Sequence, residues 1–393
     1  MMSEREFDVV VYGATGYTGR LVAEYLTARC AAGLDAKWAM AGRSADKLAA
    51  VRDEIGAPVD TQLLVADAAA PASVKDMVER TRVLLTTVGP YQLYGAEVVA
   101  ACAEAGTDYV DLCGEVPFMR ATIDAHEAKA KATGARIVFS TGFDSVPFDM
   151  GVFFLQEQAK AKFGKPFARV KGRVRAMNGT FSGGTLASGK ATMEAAMKDP
   201  KVLATLMTPW SLTPGFEGPE QPSGAKVMDD PAVSAWVAPF VMAAINTRNI
   251  HRSNMLMGHA YGEDFAYDEM MITGPGEQGK QMADAIAGMD MMAQNENSPK
   301  PGEGPSKDER ENGNYDLLFV GEGADGDSMK VGVTGDMDPG YGSTSKMIAE
   351  CALCLTQEAS ALPGGVYTPA PAYGMAIIER LRAHAGLTFE VED

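Results

Sequence analysis

The sequence predicts an α/β protein whose first half is a doubly wound parallel sheet, and three observations carry that prediction. Strand-like and helix-like segments alternate from Phe7 through the stretch "ARIVFSTGF". The first strand, "FDVVVY", runs straight into a turn punctuated by Gly13, Gly16 and Gly19 that opens a helix. The chain, at 393 residues, is too long for one ordinary core, so a second domain or a long insertion is expected.

Each element follows from its own pattern. After the glycine turn, "RLVAEYLTARCAAG" sets Leu21, Val22, Tyr25 and Leu26 at helical spacing and stops at Gly33. "KWAMAGRS" is a short apolar run closed by a glycine, and "SADKLAAVRDEIG" is a helix. "TQLLVADA" is a strand, "PASVKDMVERT" a helix, and "RVLLTTVGPY" a buried strand ending in a Gly-Pro turn. The order continues through helix "GAEVVAACAEAG", strand "TDYVDLCGE", helix "FMRATIDAHEAKAKATG" and strand "ARIVFSTGF". Strands separated by helices pair in parallel through right-handed crossovers.

Composition narrows the function classes. A net charge of -17 argues against nonspecific binding to nucleic acid or anionic lipid, which reward basic patches. No run approaches the roughly 20 apolar residues that cross a bilayer, and "MMSEREFD" lacks the features of a signal peptide, so a cytoplasmic protein is expected. The five cysteines are odd in number and scattered. Cys351-x-x-Cys354 has no second ligand pair, so it reads as two small apolar residues on one helix face and no metal is expected. A homodimer is the expectation from the general prevalence of two-fold assemblies.

The glycine turn lies between the first strand and first helix, where an open parallel sheet binds dinucleotides. Glycine admits a pyrophosphate close to the backbone, and the helix start offers free N–H groups and partial positive charge. The predicted contact set is Gly13, Thr15, Gly16, Tyr17, Thr18 and Gly19, in a G-x-x-G-x-x-G spacing. An NAD site usually ends its second strand with an acid. "AMAGRS" instead offers Arg43 and Ser44, and a guanidinium fork can clamp a 2′-phosphate. NADPH is therefore expected over NADH. Asp67 is placed to accept from the adenine amine or to cap a helix, and Gly89, Pro90 and Tyr91 lie where the nicotinamide ribose passes.

The second half changes texture from Val170. "VKGRVRAMNGTFSGGTLASG" alternates like a strand and then breaks at Ser182, Gly183, Gly184 and Thr185 before a helix. Those four residues read as an anion or substrate contact, or as a helix cap. Methionines crowd the stretch from Met193 to Met292, which suits an apolar channel and equally a core or oligomer interface. Residues 294–313 are polar and rich in Pro and Gly, and read as an exposed loop. "YDLLFVGEGADGDSMKVGVTGD" is a hairpin. Tyr91 and Tyr94 are the candidate proton donors, with solvent as the alternative, and Asp144 is a further candidate catalytic residue. Asp144 and Ser145 sit beyond a strand end, to orient substrate or cap the next helix.

Taken together, "VVYGATGYTGR", "AGRSADKL", "TTVGPYQLYGAEVVAACAEAGTDYVDLCGE" and "STGFDSVPFDMG" resemble the saccharopine dehydrogenase-like oxidoreductases, in particular the trans-acting enoyl reductase branch. "GDMDPGYGSTSKMIAECALCL" and "GGVYTPAPAYGMAIIERLR" are similar to that branch's C-terminal motifs. The resemblance implies an NADP-binding Rossmann domain over 1–150 and an α+β substrate and oligomerisation domain over 151–350. It also implies C-terminal helices, 351–393, that return to the first domain. It further implies reduction of an activated double bond in an apolar acyl, polyketide or isoprenoid substrate, free or bound to CoA or a carrier, and so a place in lipid metabolism. Two alternatives stay open: an amino-acid or imine oxidoreductase of the saccharopine type, whose carboxylates need converging cations from among Arg173, Arg175, Lys190, Arg248 and Arg252, and a non-catalytic cofactor-binding or lipid-associated scaffold.

Overall fold

The first six strands form where the β-branched and apolar runs predicted them: β1 Phe7–Tyr12, β2 Trp38–Gly42, β3 Gln62–Val65, β4 Thr81–Thr86, β5 Asp108–Asp111 and β6 Arg136–Val138. The computed structural model describes residues 5–179, 182–289, 299–300, 302–359 and 361–392. Six further strands follow: β7 Arg169–Asn178, β8 Met228–Asp230, β9 Ala235–Pro239, β10 Ala266–Gly274, β11 Asn314–Glu322 and β12 Ser328–Gly335. Two short C-terminal strands, β13 Gly365–Tyr367 and β14 Leu387–Glu392, complete the set.

They build two seven-stranded sheets. The first runs β13-β6-β5-β4-β1-β2-β3, and every pair in it is parallel. Strand order reverses between β1 and β4, the switch point where such sheets leave a crevice at their C-terminal edge. The second runs β14-β12-β11-β7-β10-β9-β8. Only β10 and β7 pair in parallel there, so it is a mixed sheet. The predicted hairpin is β11–β12, in register from Tyr315 opposite Gly335 to Glu322 opposite Ser328.

Alternation along β1 feeds two cores. Val9 and Val11 join a cluster that runs through Phe148 to Phe319 of the second sheet, while Val10 and Tyr12 join the cluster on the opposite face. The two sheets therefore share one continuous apolar core. The chain's return is divided between them: the helix Thr344–Gln357 packs on β1, β4, β5 and the helix Tyr17–Ala31, β13 extends the first sheet, and β14 extends the second. Cys351 and Cys354 are buried in the shared core.

The described part of 294–313 is mostly exposed, and a short helix and a contact to the first domain are added to the expected loop. Residues 294–298 and 301 lie outside the described residues. The rest form a strap: Ser306 and Glu309 make a capping box for the helix Lys307–Glu311. The Tyr17 hydroxyl donates to the Pro305 carbonyl, and Arg310 Nη1 donates to that hydroxyl at 3.0 Å. Composition flagged the segment as polar; one aromatic ring of the first domain is what orders it. The methionines also sit differently from a buried channel, since Met193, Met197 and Met207 are 62%, 77% and 73% exposed.

Candidate active site

The three glycines of the opening turn do different jobs. Gly13 has a left-handed φ of +94°, and a Cβ there would lie 2.8 Å from Thr87 Oγ1 and Val88 Cγ2. A Cβ on Gly19 would lie 2.1 Å from the Gly13 carbonyl oxygen. Both are thus excluded by the protein's own packing. Gly16 is not: its backbone is extended, and a Cβ would meet only the Gly13 oxygen, at 3.2 Å. The helix Tyr17–Ala31 that follows has no side-chain cap and no acid in its first turn. Its first N–H groups and its dipole are left for an outside anion, and the open side of Gly16 gives that anion room.

Arg43 and Asp67 converge beside this turn. The Tyr12 hydroxyl, pushed up by burial, feels the charges of both Asp67 and Arg43, which places the ends of β1, β2 and β3 together. Arg43 is exposed and forms no ion pair among the described residues. Thr15 Oγ1 lies 3.6 Å from where a Cβ of Gly42 would be. Two neighbours are committed to local turns. Ser44 caps the helix Ala45–Glu54 by accepting from the Lys47 N–H at 3.4 Å, and Asp67 Oδ1 accepts from the Ala69 N–H at 3.0 Å.

The loop after β4 is held from below. The buried Glu115 carboxylate accepts the N–H groups of Tyr91 and Gln92, each at 2.8 Å. The Tyr91 hydroxyl donates to the Thr86 carbonyl at 3.3 Å and accepts from the Leu112 N–H at 3.1 Å. Burial pushes its pKa well above the ordinary phenol value. Tyr91 thus ties β4 to β5 and its proton is already used, which corrects its reading as a proton donor. The Tyr94 side chain, in a residue 49% exposed, makes no hydrogen bond among the described residues. Gly89 faces the helix Gly183–Lys198, where a Cβ would lie 3.5 Å from Ser188 Oγ, and Gln92 Nε2 donates to Thr192 Oγ1 at 3.1 Å. The second domain therefore covers the fourth strand end.

Ser182, Gly183, Gly184 and Thr185 lie close to the cofactor turn, but their polar groups are engaged. Ser182 accepts from the Thr185 N–H at 3.4 Å, the Ser182 N–H donates to the Tyr341 hydroxyl, and Thr185 Oγ1 lies 2.9 Å from that hydroxyl. The Tyr341 ring meets the Tyr17 ring edge-on at 5.2 Å. The loop is a cap and a domain joint, and its substrate role loses the free donors it needed.

Asp144 and Ser145 are different. Ser145 precedes the helix Val146–Phe163 but its side chain does not cap it. Instead Ser145 Oγ accepts from Asn249 Nδ2 at 2.7 Å. One turn earlier on the helix Ala243–Leu256, Asn246 Nδ2 donates to Glu269 Oε2 at 2.9 Å, and Glu269 Oε1 accepts from the Tyr267 hydroxyl at 2.9 Å. Asp144 Oδ1, Asn246 Oδ1 and Asn249 Oδ1 are all buried without a hydrogen-bond partner among the described residues. Burial lifts the Asp144 carboxyl to about 7. Burial also lifts Glu269 to about 8, with the nearby Asp144 charge adding to it and the Asn246 and Tyr267 hydrogen bonds opposing it.

Sequence reasoning missed Asn246, Asn249 and Glu269. A signal existed: of the eight buried residues on the helix Ala243–Leu256, only Ile250 is apolar, and a buried polar helix face needs partners. The cations named for the saccharopine alternative do not converge. Arg173 pairs with Asp230 at 2.8 Å and Asp268 at 2.9 Å. Arg175 pairs with Glu392 at 2.6 Å and Asp316 at 2.7 Å. Arg248 donates to the Thr208 carbonyl at 3.1 Å, and Arg252 donates to the Leu212 carbonyl at 2.8 Å and pairs with Glu127 at 3.0 Å. Lys190 is exposed beside Glu194, 4.0 Å away.

Residues 9–138 match the family described as the saccharopine dehydrogenase NADP binding domain. A Mycobacterium tuberculosis (strain ATCC 25618 / H37Rv) protein that carries the name trans-acting enoyl reductase provisionally is 40% identical, aligned over 98% of this chain and 97% of its own. The trans-acting enoyl reductase of Mycobacterium ulcerans (strain Agy99) is 36% identical over 96% of each chain. Apo histidine-tagged saccharopine dehydrogenase (L-Glu forming) from Saccharomyces cerevisiae has the same fold, with a TM-score of 0.54 at 13% identity over 98% of this chain and 100% of that one. No helix among the described residues is long and apolar enough to cross a membrane. The chain belongs to the saccharopine dehydrogenase-like NADP-binding oxidoreductases, in the group whose full-length relatives are named trans-acting enoyl reductases.

Proposed function

We propose that this protein reduces an activated carbon–carbon double bond of an apolar acyl, polyketide or isoprenoid substrate at the expense of NADPH. The full-length relatives' name supports the reaction class. One structural observation carries the choice over an amino-acid substrate: the arginines a multi-carboxylate would need are each held by a carboxylate or a backbone carbonyl elsewhere. The uncapped helix start, the open side of Gly16 and the unpaired Arg43 fit a pyrophosphate and a 2′-phosphate. When bound, NADPH supplies hydride.

In this reading Gly13 and Gly19 shape the turn, while Gly16 and the first-turn N–H groups of Tyr17, Thr18 and Gly19 meet the pyrophosphate. Arg43 meets the 2′-phosphate, and Thr15 and Asp67 border the adenosine. Gly89 and Pro90 flank the nicotinamide ribose. A cytosolic homodimer acting in lipid metabolism, with the acyl chain delivered as a CoA or carrier thioester, belongs to the same proposal. The test is NADPH consumption by the purified protein against enoyl thioesters, isoprenoid enones, and 2-oxo acids with lysine, with NADH as control. Turnover confined to the unsaturated apolar compounds is expected. Turnover of a 2-oxo acid with an amine would move the assignment to the saccharopine type. NADPH binding with no consumption across the panel would favour a scaffold.

A further inference from the structure

We propose that Asp144 is the proton donor of this reduction, held in one polar cluster with Glu269 of the second sheet. The inference rests on the reductase reading above and names the acid that reading lacks.

The geometry comes first. Asp144 follows β6, on the same side of the switch point as β4 and β5, whose ends line the nicotinamide half of the crevice. It is half-buried, with Oδ1 enclosed and unpartnered. The helix Ala243–Leu256 lies over the end of β5, where a Cβ on Gly114 would touch Ile245 Cδ1 at 2.9 Å. Its Asn249 grips Ser145 and its Asn246 grips Glu269, so one helix face spans the two domains and holds both acids in a single polar cluster.

The cluster is short of donors. Three neighbouring side chains each present a buried oxygen with no hydrogen on it, and an unsatisfied buried acceptor costs roughly 1–3 kcal/mol. Protonating Asp144 turns one of those acceptors into a donor. Charge points the same way, because no cation among the described residues pairs with either carboxyl. Arg173, on the strand beside β10, is already shared between Asp230 and Asp268. From the Ala243–Leu256 helix, Arg248 and Arg252 bind carbonyls of the 206–212 stretch, and His251 stacks on Trp210 at 4.4 Å. From the first sheet, Asp111 is occupied by the N–H groups of Cys113 and Ser140 and by the Tyr109 hydroxyl. From the Val146–Phe163 helix, Asp149 accepts from Ser253 and the Ala370 N–H. Burial therefore lets Asp144 keep its proton toward neutral pH.

The step balances. The double bond gains a hydride at one carbon and a proton at the other. The hydride and its electron pair come from the cofactor, which is oxidised. The proton leaves Asp144: its O–H bond breaks, the electron pair stays on the carboxylate, a C–H bond forms, and water restores the acid.

The test uses the purified full-length protein. Asp144→Asn is expected to lower kcat by about 100-fold or more while NADPH affinity, read from its fluorescence, stays within about 2-fold, since the substituted group is remote from the phosphate contacts. Glu269→Gln is expected to keep turnover and to leave the high-pH loss of kcat within about half a unit of wild type, because Glu269 still holds its own proton when Asp144 ionises. An Asp144→Asn enzyme with near-normal kcat, or a high-pH limb that moves by a full unit or more in Glu269→Gln, would overturn the proposal. A wild-type protein that binds NADPH but reduces nothing would overturn the reductase reading itself. The acid is then tested by infrared difference spectra, wild type minus Asp144→Asn. A protonated-carboxyl band present at pH 6 and gone at pH 9 supports the donor; its absence at pH 6 sinks it.

Discussion

The glycine turn and the acid cluster are built in opposite ways. The turn is local: residues 13–19 hold all its glycines, and two of the three are required by contacts within one loop and its nearest strand end. The cluster draws Asp144, Asn246, Asn249 and Glu269 from a loop, a helix and a strand that are far apart in the chain. Affinity for a shared phosphate can be written into a few adjacent backbone groups. A carboxyl that keeps its proton needs burial and the absence of cations, and only many elements together can enclose it.

The largest expected effect breaks the turn. Gly19→Ala should unfold the first domain or cost more than about 3 kcal/mol, because its Cβ overlaps backbone that cannot move aside. Gly16→Ala should leave thermal stability nearly unchanged yet weaken NADPH at least tenfold. Equal destabilisation by both, measured by thermal melting, would mean that Gly16 is structural too. Next, Arg43→Asp should raise the NADPH Kd by roughly 10–100-fold and the NADH Kd much less, as expected for a lost charge-assisted phosphate contact. Equal losses for both cofactors would remove Arg43 from the 2′-phosphate.

Two variants sharpen the boundary between site and scaffold. Tyr91→Phe should keep kcat within about 2-fold while lowering stability by roughly 1–2 kcal/mol, since the Leu112 N–H loses its acceptor. A large fall in kcat with normal stability would return Tyr91 to catalysis. Arg310→Ala should lower Tm by a few degrees through loss of its bonds to Tyr17 and Pro305. No change would show that the strap contributes little to ordering the first helix.

The smallest expected effect concerns pH. Burial raises Asp111, Asp144 and Asp149 to about 7 and Glu269 to about 8, against unfolded values of about 4. Between those limits the folded state binds more protons than the unfolded, so stability falls as pH rises from about 4 through about 8. Tm should therefore be higher at pH 5.5 than at pH 8, and Glu269→Gln should flatten that slope. A Tm that rises over this window would show that these carboxyls are ionised in the fold.

Much of the first sheet was legible because its signals are local. Apolar runs of period two, helices ending at glycine and a Gly-Pro turn each report on a few neighbouring residues. The glycine turn and the NADP-binding character of the first domain were legible for the same reason, since one loop and its flanking strand ends carry them. The contact of the 294–313 segment with Tyr17, nearly three hundred residues away, was not legible because polar composition describes a segment by itself. Tyr91 was misread because a tyrosine beside a predicted nicotinamide looks like an acid until its hydroxyl is found bonded to β4 and to the segment after β5.

By itself, then, the sequence determined a parallel sheet with a dinucleotide turn and a preference for NADPH, because backbone geometry and short-range chemistry set those. Only the tertiary structure decided which buried groups lack partners. It paired away the arginines of the second half, closed Tyr91 into the sheet, and left Asp144 Oδ1 buried without a partner among the described residues. Desolvation and pairing are properties of surroundings assembled from the whole chain, and no single stretch of residues carries them.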